Sequence, residues 1–167
     1  MFQIGDKIVY PMHGAGIIED IEVKEILGEK REYFIILMPI GDMKVMVPVA
    51  NVEDVGVRYI IESKEMESVL DILRGRKSAM PQNWNRRYRM NMDLIKTGDI
   101  EVIAAVVRNL TILDDEKGLS TGERKMLSNA RQMLLSELVL ASEKTMPEVE
   151  KQVMDAIKES EDLGEQI

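Results

Sequence analysis

The chain has 167 residues, 45% of them hydrophobic, with 30 acidic against 22 basic side chains, a net charge of −8 and no cysteine. That content suffices for one domain or two small ones, and the lack of thiols excludes disulfides and thiolate chemistry and fits a reducing compartment. No apolar run approaches the ~20 residues that cross a bilayer, and residues 1–6 lack the cationic start of a signal peptide, so a soluble cytoplasmic protein with no membrane contact is expected.

The first third of the chain predicts strands. Lys7-Ile8-Val9-Tyr10 follows Gly5-Asp6, a β-branched run covers 17–23, and Leu27-Gly28-Glu29-Lys30 has the composition of a hairpin connection. Segments 32–38 and 43–49 are joined across Ile40-Gly41-Asp42. Several short strands with little helix between them predict a small β-barrel. Aromatic residues make up only 4% of the chain, so its cores must be aliphatic, with the 13 Met serving more as filler than as an adaptable surface. Segment 43–47 alternates and stops at Pro48, whose missing N–H suits an outer strand. Such an edge can accept a strand from another protein, with Lys44 or Met46 choosing the partner, or Lys44 can simply protect it from aggregation.

Helices follow. Ser63 is a candidate N-cap for a helix over 63–74 ended by Gly75, and 75–82, with Gly75, Ser78 and Pro81, has the composition of a linker. The next helix spans 83–96 with Asn83 as its N-cap, and Asp99 caps another with a buried stripe of Ile100, Ile103, Val107 and Leu110. Ser120-Thr121-Gly122-Glu123 is a capping-box pattern opening a helix whose core positions are Leu127, Ala130, Leu134, Leu138 and Ala141. Thr145-Met146-Pro147-Glu148 repeats the capping pattern, and beyond Lys158 the acidic tail is expected to fray. The domains predicted are 1–62, a barrel, and 63–167, all helical, which makes the fold class α+β.

One stretch stands apart: Pro81-Gln82-Asn83-Trp84-Asn85-Arg86-Arg87-Tyr88-Arg89 holds the only Trp. The window 74–96 carries seven cations (Arg74, Arg76, Lys77, Arg86, Arg87, Arg89, Lys96) against Asp93, a local charge of +6 on a chain of −8. A basic patch on an acidic protein engages a polyanion at one site and leaves the rest of the surface repelling it. Trp84 falls in the first turn of its helix, where no earlier turn covers it, yet it also shares a face with Tyr88, Asn91 and Ile95, which would bury it. Periodicity leaves both open. Arg124 and Lys125 sit in a first helical turn, where cations oppose the helix dipole unless an outside anion meets them.

Nothing in the sequence assembles a catalytic, cofactor or metal site. His13 is the sole histidine, lying in a turn without a second ligand. Gly14-Ala15-Gly16 leads into a strand and lacks the Gly-Lys-Ser/Thr of a phosphate loop. Asp114-Asp115-Glu116 cannot converge on one point of a helix. Two rival readings remain, an RNA-binding or ribosome-associated adaptor and an enzyme acting through His13.

In order and spacing the chain resembles the CarD/CdnL family of bacterial transcription regulators. The shared signals are Gly5-Asp6 with Val9-Tyr10-Pro11 and His13-Gly14, Val47-Pro48 with Val55-Gly56-Val57-Arg58, Asn83-Trp84 with Arg86-Arg87-Tyr88, and Leu119-Ser120 with Gly122-Glu123. The resemblance implies a Tudor-like (SH3-like) barrel that docks on the RNA polymerase β subunit by strand pairing, a module shared with the transcription-repair coupling factor. It also implies a helical domain on promoter DNA at the upstream edge of the bubble. Trp84 becomes a minor-groove wedge, with Arg86, Arg87, Arg89, Arg124 and Lys125 as the cations toward DNA. Lys24, Lys44, Val45, Met46 and Val47 become the polymerase-facing set of a monomer that joins the nucleoid through the polymerase. Where relatives carry Arg on that barrel face, this chain has Lys24 and Met46, and Met46 forms no salt bridge.

Overall fold

The computed structural model describes residues 1–164. Strands β1 (Lys7–Tyr10), β2 (Gly14–Ile26), β3 (Glu29–Met38), β4 (Met43–Pro48) and β5 (Arg58–Tyr59) form one antiparallel sheet in the order β4-β3-β2-β1-β5. The β2–β3 connection is tight because Leu27 and Gly28 both take positive φ, 53° and 80°, the conformation that matches the twist of a two-residue hairpin. A register shift between Ile18 and Asp20 bends the long β2. The bend curls the sheet enough for Ile8, Ile18, Phe34, Ile36 and Val47 to share one core with Val52 and Val57 from beyond β4. The result is the small curled sheet that the strand pattern predicts and that the family resemblance implies to be Tudor-like, followed by a helical half.

Helices α1 (Met66–Arg74), α2 (Trp84–Lys96), α3 (Ile100–Glu116), α4 (Thr121–Ser142) and α5 (Met146–Leu163) enclose a second, larger core. Caps set most of the boundaries. Asn83, Asp99, Ser120 and Thr145 each accept a backbone N–H of the first turn, and Ser120 and Glu123 complete the reciprocal box. Ser63 does not cap α1. Glu62 and Glu65 form the box instead, around a short 3-10 turn over Ser63–Glu65.

Two further expectations are corrected. Segment 75–82 has the composition of a linker but is bonded down: buried Arg108 of α3 donates to the Ile72 carbonyl at 2.7 Å and to Ser78 Oγ at 3.0 Å, and Ser78 N–H reaches Asn109 Oδ1 at 3.1 Å. Residues 159–163 do not fray, because Ser160 is buried and its hydroxyl donates to the Gly75 carbonyl, fixing the end of α5 on α1. Residues 165–167 of the tail lie outside the described residues. Methionine serves more as filler than as surface, as expected: Met38, Met66, Met126 and Met133 are buried and Met80, Met92 and Met146 pack against the helical core, whereas Met1, Met12, Met43, Met46 and Met154 are exposed.

The expected core positions of α4 are all buried, and so are Met126, Met133, Leu135, Ser136, Glu137 and Leu140. Two faces of this helix are covered. One packs in the helical core, and the other lies on β1 and β2 through Leu140, Val9 and Ala15.

Candidate nucleic-acid interface

Helix α2 enters the protein obliquely. Along its inner face Trp84 is 53% exposed, Tyr88 is half-buried, and Asn91 and Ile95 are 1% and 2% exposed, so the C-terminal end is sunk and the N-terminal end protrudes. Periodicity placed these four on one face. The tilt, which depends on packing against α3 and α4, decides that the indole stands out.

The projecting end is anchored from behind by Arg87. Its guanidinium donates to both oxygens of Glu123 at 2.6 and 2.8 Å, and to the carbonyls of Pro81 and Gln82 at 3.2 and 3.1 Å. Glu123 is 0% exposed and also accepts from Ser120 Oγ at 3.0 Å. Burial alone pushes the Glu123 carboxyl up. The hydrogen bonds and positive charge of Arg87 and the hydrogen bonds of Ser120 outweigh it and hold the group below the ordinary carboxylate range. Arg87 in turn is raised by its bond to Glu123. Arg87, expected among the cations facing DNA, is therefore committed to a buried ion pair, because the carboxylate of the α4 capping box lies within its reach.

That pair joins the N-terminal ends of α2 and α4, and Tyr88 lies beside Gly122. Arg86 and Arg89 are exposed and, like Lys125, form no ion pair among the described residues. Arg124 is 64% exposed with Asp114 at 3.6 Å. A cleft of about 430 Å³ adjoins this corner, lined by Lys77, Pro81, Gln82, Arg87 and Lys117 among others. Lys117, which the sequence reading did not single out, thereby extends the cationic surface next to Arg124. Trp84, Arg86, Arg89, Arg124 and Lys125 are thus exposed residues in the first two turns of α2 and α4, whose N-terminal ends the Arg87–Glu123 pair holds together and whose dipoles favour an anion.

At the edge of the sheet opposite β5, β4 borders only β3 and so is an outer strand. Lys44 and Met46 are exposed, and Lys44 reaches Glu19, the residue at the register shift, at 3.1 Å. The pairings Met46↔Ile35 and Ile35↔Asp20 put Lys24, four residues beyond Asp20, on the same sheet face as Met46. Lys24 sits on the part of the β2–β3 hairpin that overhangs the end of β4, with Glu22 at 3.1 Å. Val47 is 0% exposed and Val45 packs on the same core, so these two can offer a partner their backbone but not their side chains.

His13 lies in the turn that follows β1. Its ring stacks on Tyr10 with centroids 4.2 Å apart, and its Nδ1–H donates to the Pro11 carbonyl at 3.2 Å. Among the described residues no group of His, Asp and Glu is arranged to hold a metal ion, and no helix is long and apolar enough to cross a membrane.

Comparison with known proteins agrees with this two-part architecture. Residues 2–61 match the family described as the CarD-like/TRCF RID domain, and residues 68–154 match CarD, C-terminal domain. The chain is 46% identical over 138 residues to the putative transcription factor YdeB of Bacillus subtilis, spanning 83% of this chain and 90% of that protein. It is 34% identical to the solution structure of the N-terminal domain of Myxococcus xanthus CarD, over 35% of this chain and 79% of that one, with a TM-score of 0.31. With both halves matched in order and the identity running through most of its length, the chain belongs to the CarD-like family of transcription factors.

Proposed function

We propose that this protein binds the β subunit of RNA polymerase through the β4 edge of its sheet and stabilises the promoter open complex through the α2–α4 corner. The observation that carries this reading is the half-exposed Trp84 at the protruding end of α2, flanked by Arg86 and Arg89. An apolar wedge needs an unstacked base step to enter. Melted promoter DNA offers one at the edge of the bubble and closed duplex does not, so Trp84 favours the open state by differential affinity. Arg86, Arg89, Arg124 and Lys125 contact phosphates around it, while Arg87 sets the angle of α2. Lys24, Lys44 and Met46 meet the polymerase, which adds a strand along β4. The protein acts as a cytoplasmic monomer, and its effect requires no chemistry of its own.

The net charge of −8 supports the same division. Four or so phosphate contacts at about −0.9 each give a log–log salt slope near −3 to −4 and weak affinity for free DNA. Docking on polymerase raises the local concentration of the second contact to the order of millimolar. The test is capture of polymerase by the full chain together with a footprint of the promoter complex. Capture of β and new protection at the upstream edge of the bubble are expected. Retention of RNA or ribosomes without polymerase would instead favour the adaptor reading.

A further inference from the structure

The DNA face does not use the most heavily hydrogen-bonded ion pair between the two halves of the molecule. Glu137 of α4, 2% exposed, accepts from Arg58 at 2.7 and 2.8 Å and from the Ile61 N–H at 2.9 Å. Arg58 also donates to the Gly98 carbonyl at 2.7 and 3.1 Å. Gly98 lies in the turn between α2 and α3, so one guanidinium grips the outer strand β5, the middle of α4 and the sunken end of α2. Beside it Ser136 Oγ accepts the Ala15 N–H at 2.9 Å and donates to the Met133 carbonyl at 2.9 Å. Gly14 permits that approach, having φ 106° and a position where any Cβ would stand 2.8 Å from Ser136 Oγ.

The apolar part of this seam is a cluster of Val9, Ala15 and Leu140 with Ile17 and Ile60 against it, together with Ile40 and Ile61 packed on the helical core and Pro11 beside Gly98. Apolar contact is non-directional and fixes no angle by itself. A two-pronged guanidinium–carboxylate bond does fix one.

We infer that Arg58 and Glu137 are positioning residues that lock the sheet to α2, so that polymerase docked at β4 presents Trp84 to DNA at a set place. The inference rests on the function proposed above. Trp84 and Gly98 are at opposite ends of a 13-residue helix, some ~20 Å apart at 1.5 Å per residue. A tilt of about 10° at the clamp therefore moves the indole by roughly 3 Å, enough to miss a base step. With the clamp open each half still binds its partner, but the second binding event loses the geometry that made it intramolecular.

The test compares the full chain with Arg58→Lys, which keeps the cation and loses the two-pronged grip, and with the double variant Arg58→Ala/Glu137→Ala, which strands no buried charge. Amide exchange at Ala15 and Ile61 reports the seam, and polymerase affinity and open-complex lifetime are measured on the same samples. The expected result is faster exchange at both amides, unchanged polymerase affinity and a lifetime shortened about tenfold as the effective concentration falls. An opened seam with an unchanged lifetime overturns the inference. So does a lifetime that falls only in step with polymerase affinity, and so do amides that stay protected in both variants. Trp84→Ala runs alongside. If it too leaves the lifetime unchanged, the proposed function itself has failed; if it alone shortens the lifetime, only the clamp has.

Discussion

Arg86 and Arg87 are adjacent in sequence and have opposite uses. Arg87 is turned inward onto buried Glu123, whereas Arg86 is exposed with no ion-pair partner among the described residues. Arg87→Ala strands the Glu123 carboxylate and is expected to cost about 3–5 kcal/mol in urea denaturation. Arg86→Ala should change stability by less than ~0.5 kcal/mol and, on the proposed function, reduce the salt slope of DNA binding by about 0.9. The same pair sets an acid limit. Because the folded Glu123 carboxyl is held below its ordinary value, its stabilisation is complete above the unfolded value near ~4.3 and disappears as pH falls through the depressed folded value. Urea midpoints should therefore drop steeply below about pH 4, and Glu123→Gln should show a shallower acid limb. The sequence shows Ser120 and Glu123 as a capping box and the structure agrees, but the box accounted for Glu123 so fully that its second partner, 36 residues upstream, had no local signal.

At the scale of elements, the strands, turns and every helix cap but that of α1 were legible because each is written in a few adjacent residues: Leu27-Gly28, Asn83, Asp99, Ser120. What was not legible is burial on more than one side. Helix α4 carries Ser136 and Glu137 among its buried residues because the sheet covers a face that a lone amphipathic helix leaves wet. Arg58 and Glu137 are 79 residues apart, and no periodicity links them. The outer position of β4 could be anticipated from Pro48, whereas the inward orientation of Val45 and Val47 follows from register with Ile36 and Phe34. For β4 the proposed docking predicts that Met46→Glu, an exposed substitution, leaves thermal stability within ~0.5 kcal/mol. It should weaken polymerase capture about tenfold, since it puts an unpaired charge into a contact. Equal capture by both proteins would remove β4 from the proposed interface.

At the scale of the whole molecule, an acidic protein carries a small cationic corner on its helical half and an outer strand on its sheet, and a hydrogen-bonded seam joins the two halves. On the proposed function, binding to free promoter DNA is weak and falls with salt with a slope near −3 to −4, while the effect on polymerase-bound promoter is far less sensitive because docking supplies the location. Titrations of free DNA and of the polymerase–promoter complex across 50 to about 200 mM salt check the contrast.

On the proposed function, docking and wedging are separate tasks of one chain. The most direct test of that central claim is the lifetime of challenged promoter open complexes formed with polymerase saturated by the parent protein or by Trp84→Ala. Equal occupancy of polymerase with a markedly shorter lifetime for Trp84→Ala is predicted. Equal lifetimes at equal occupancy would contradict the account.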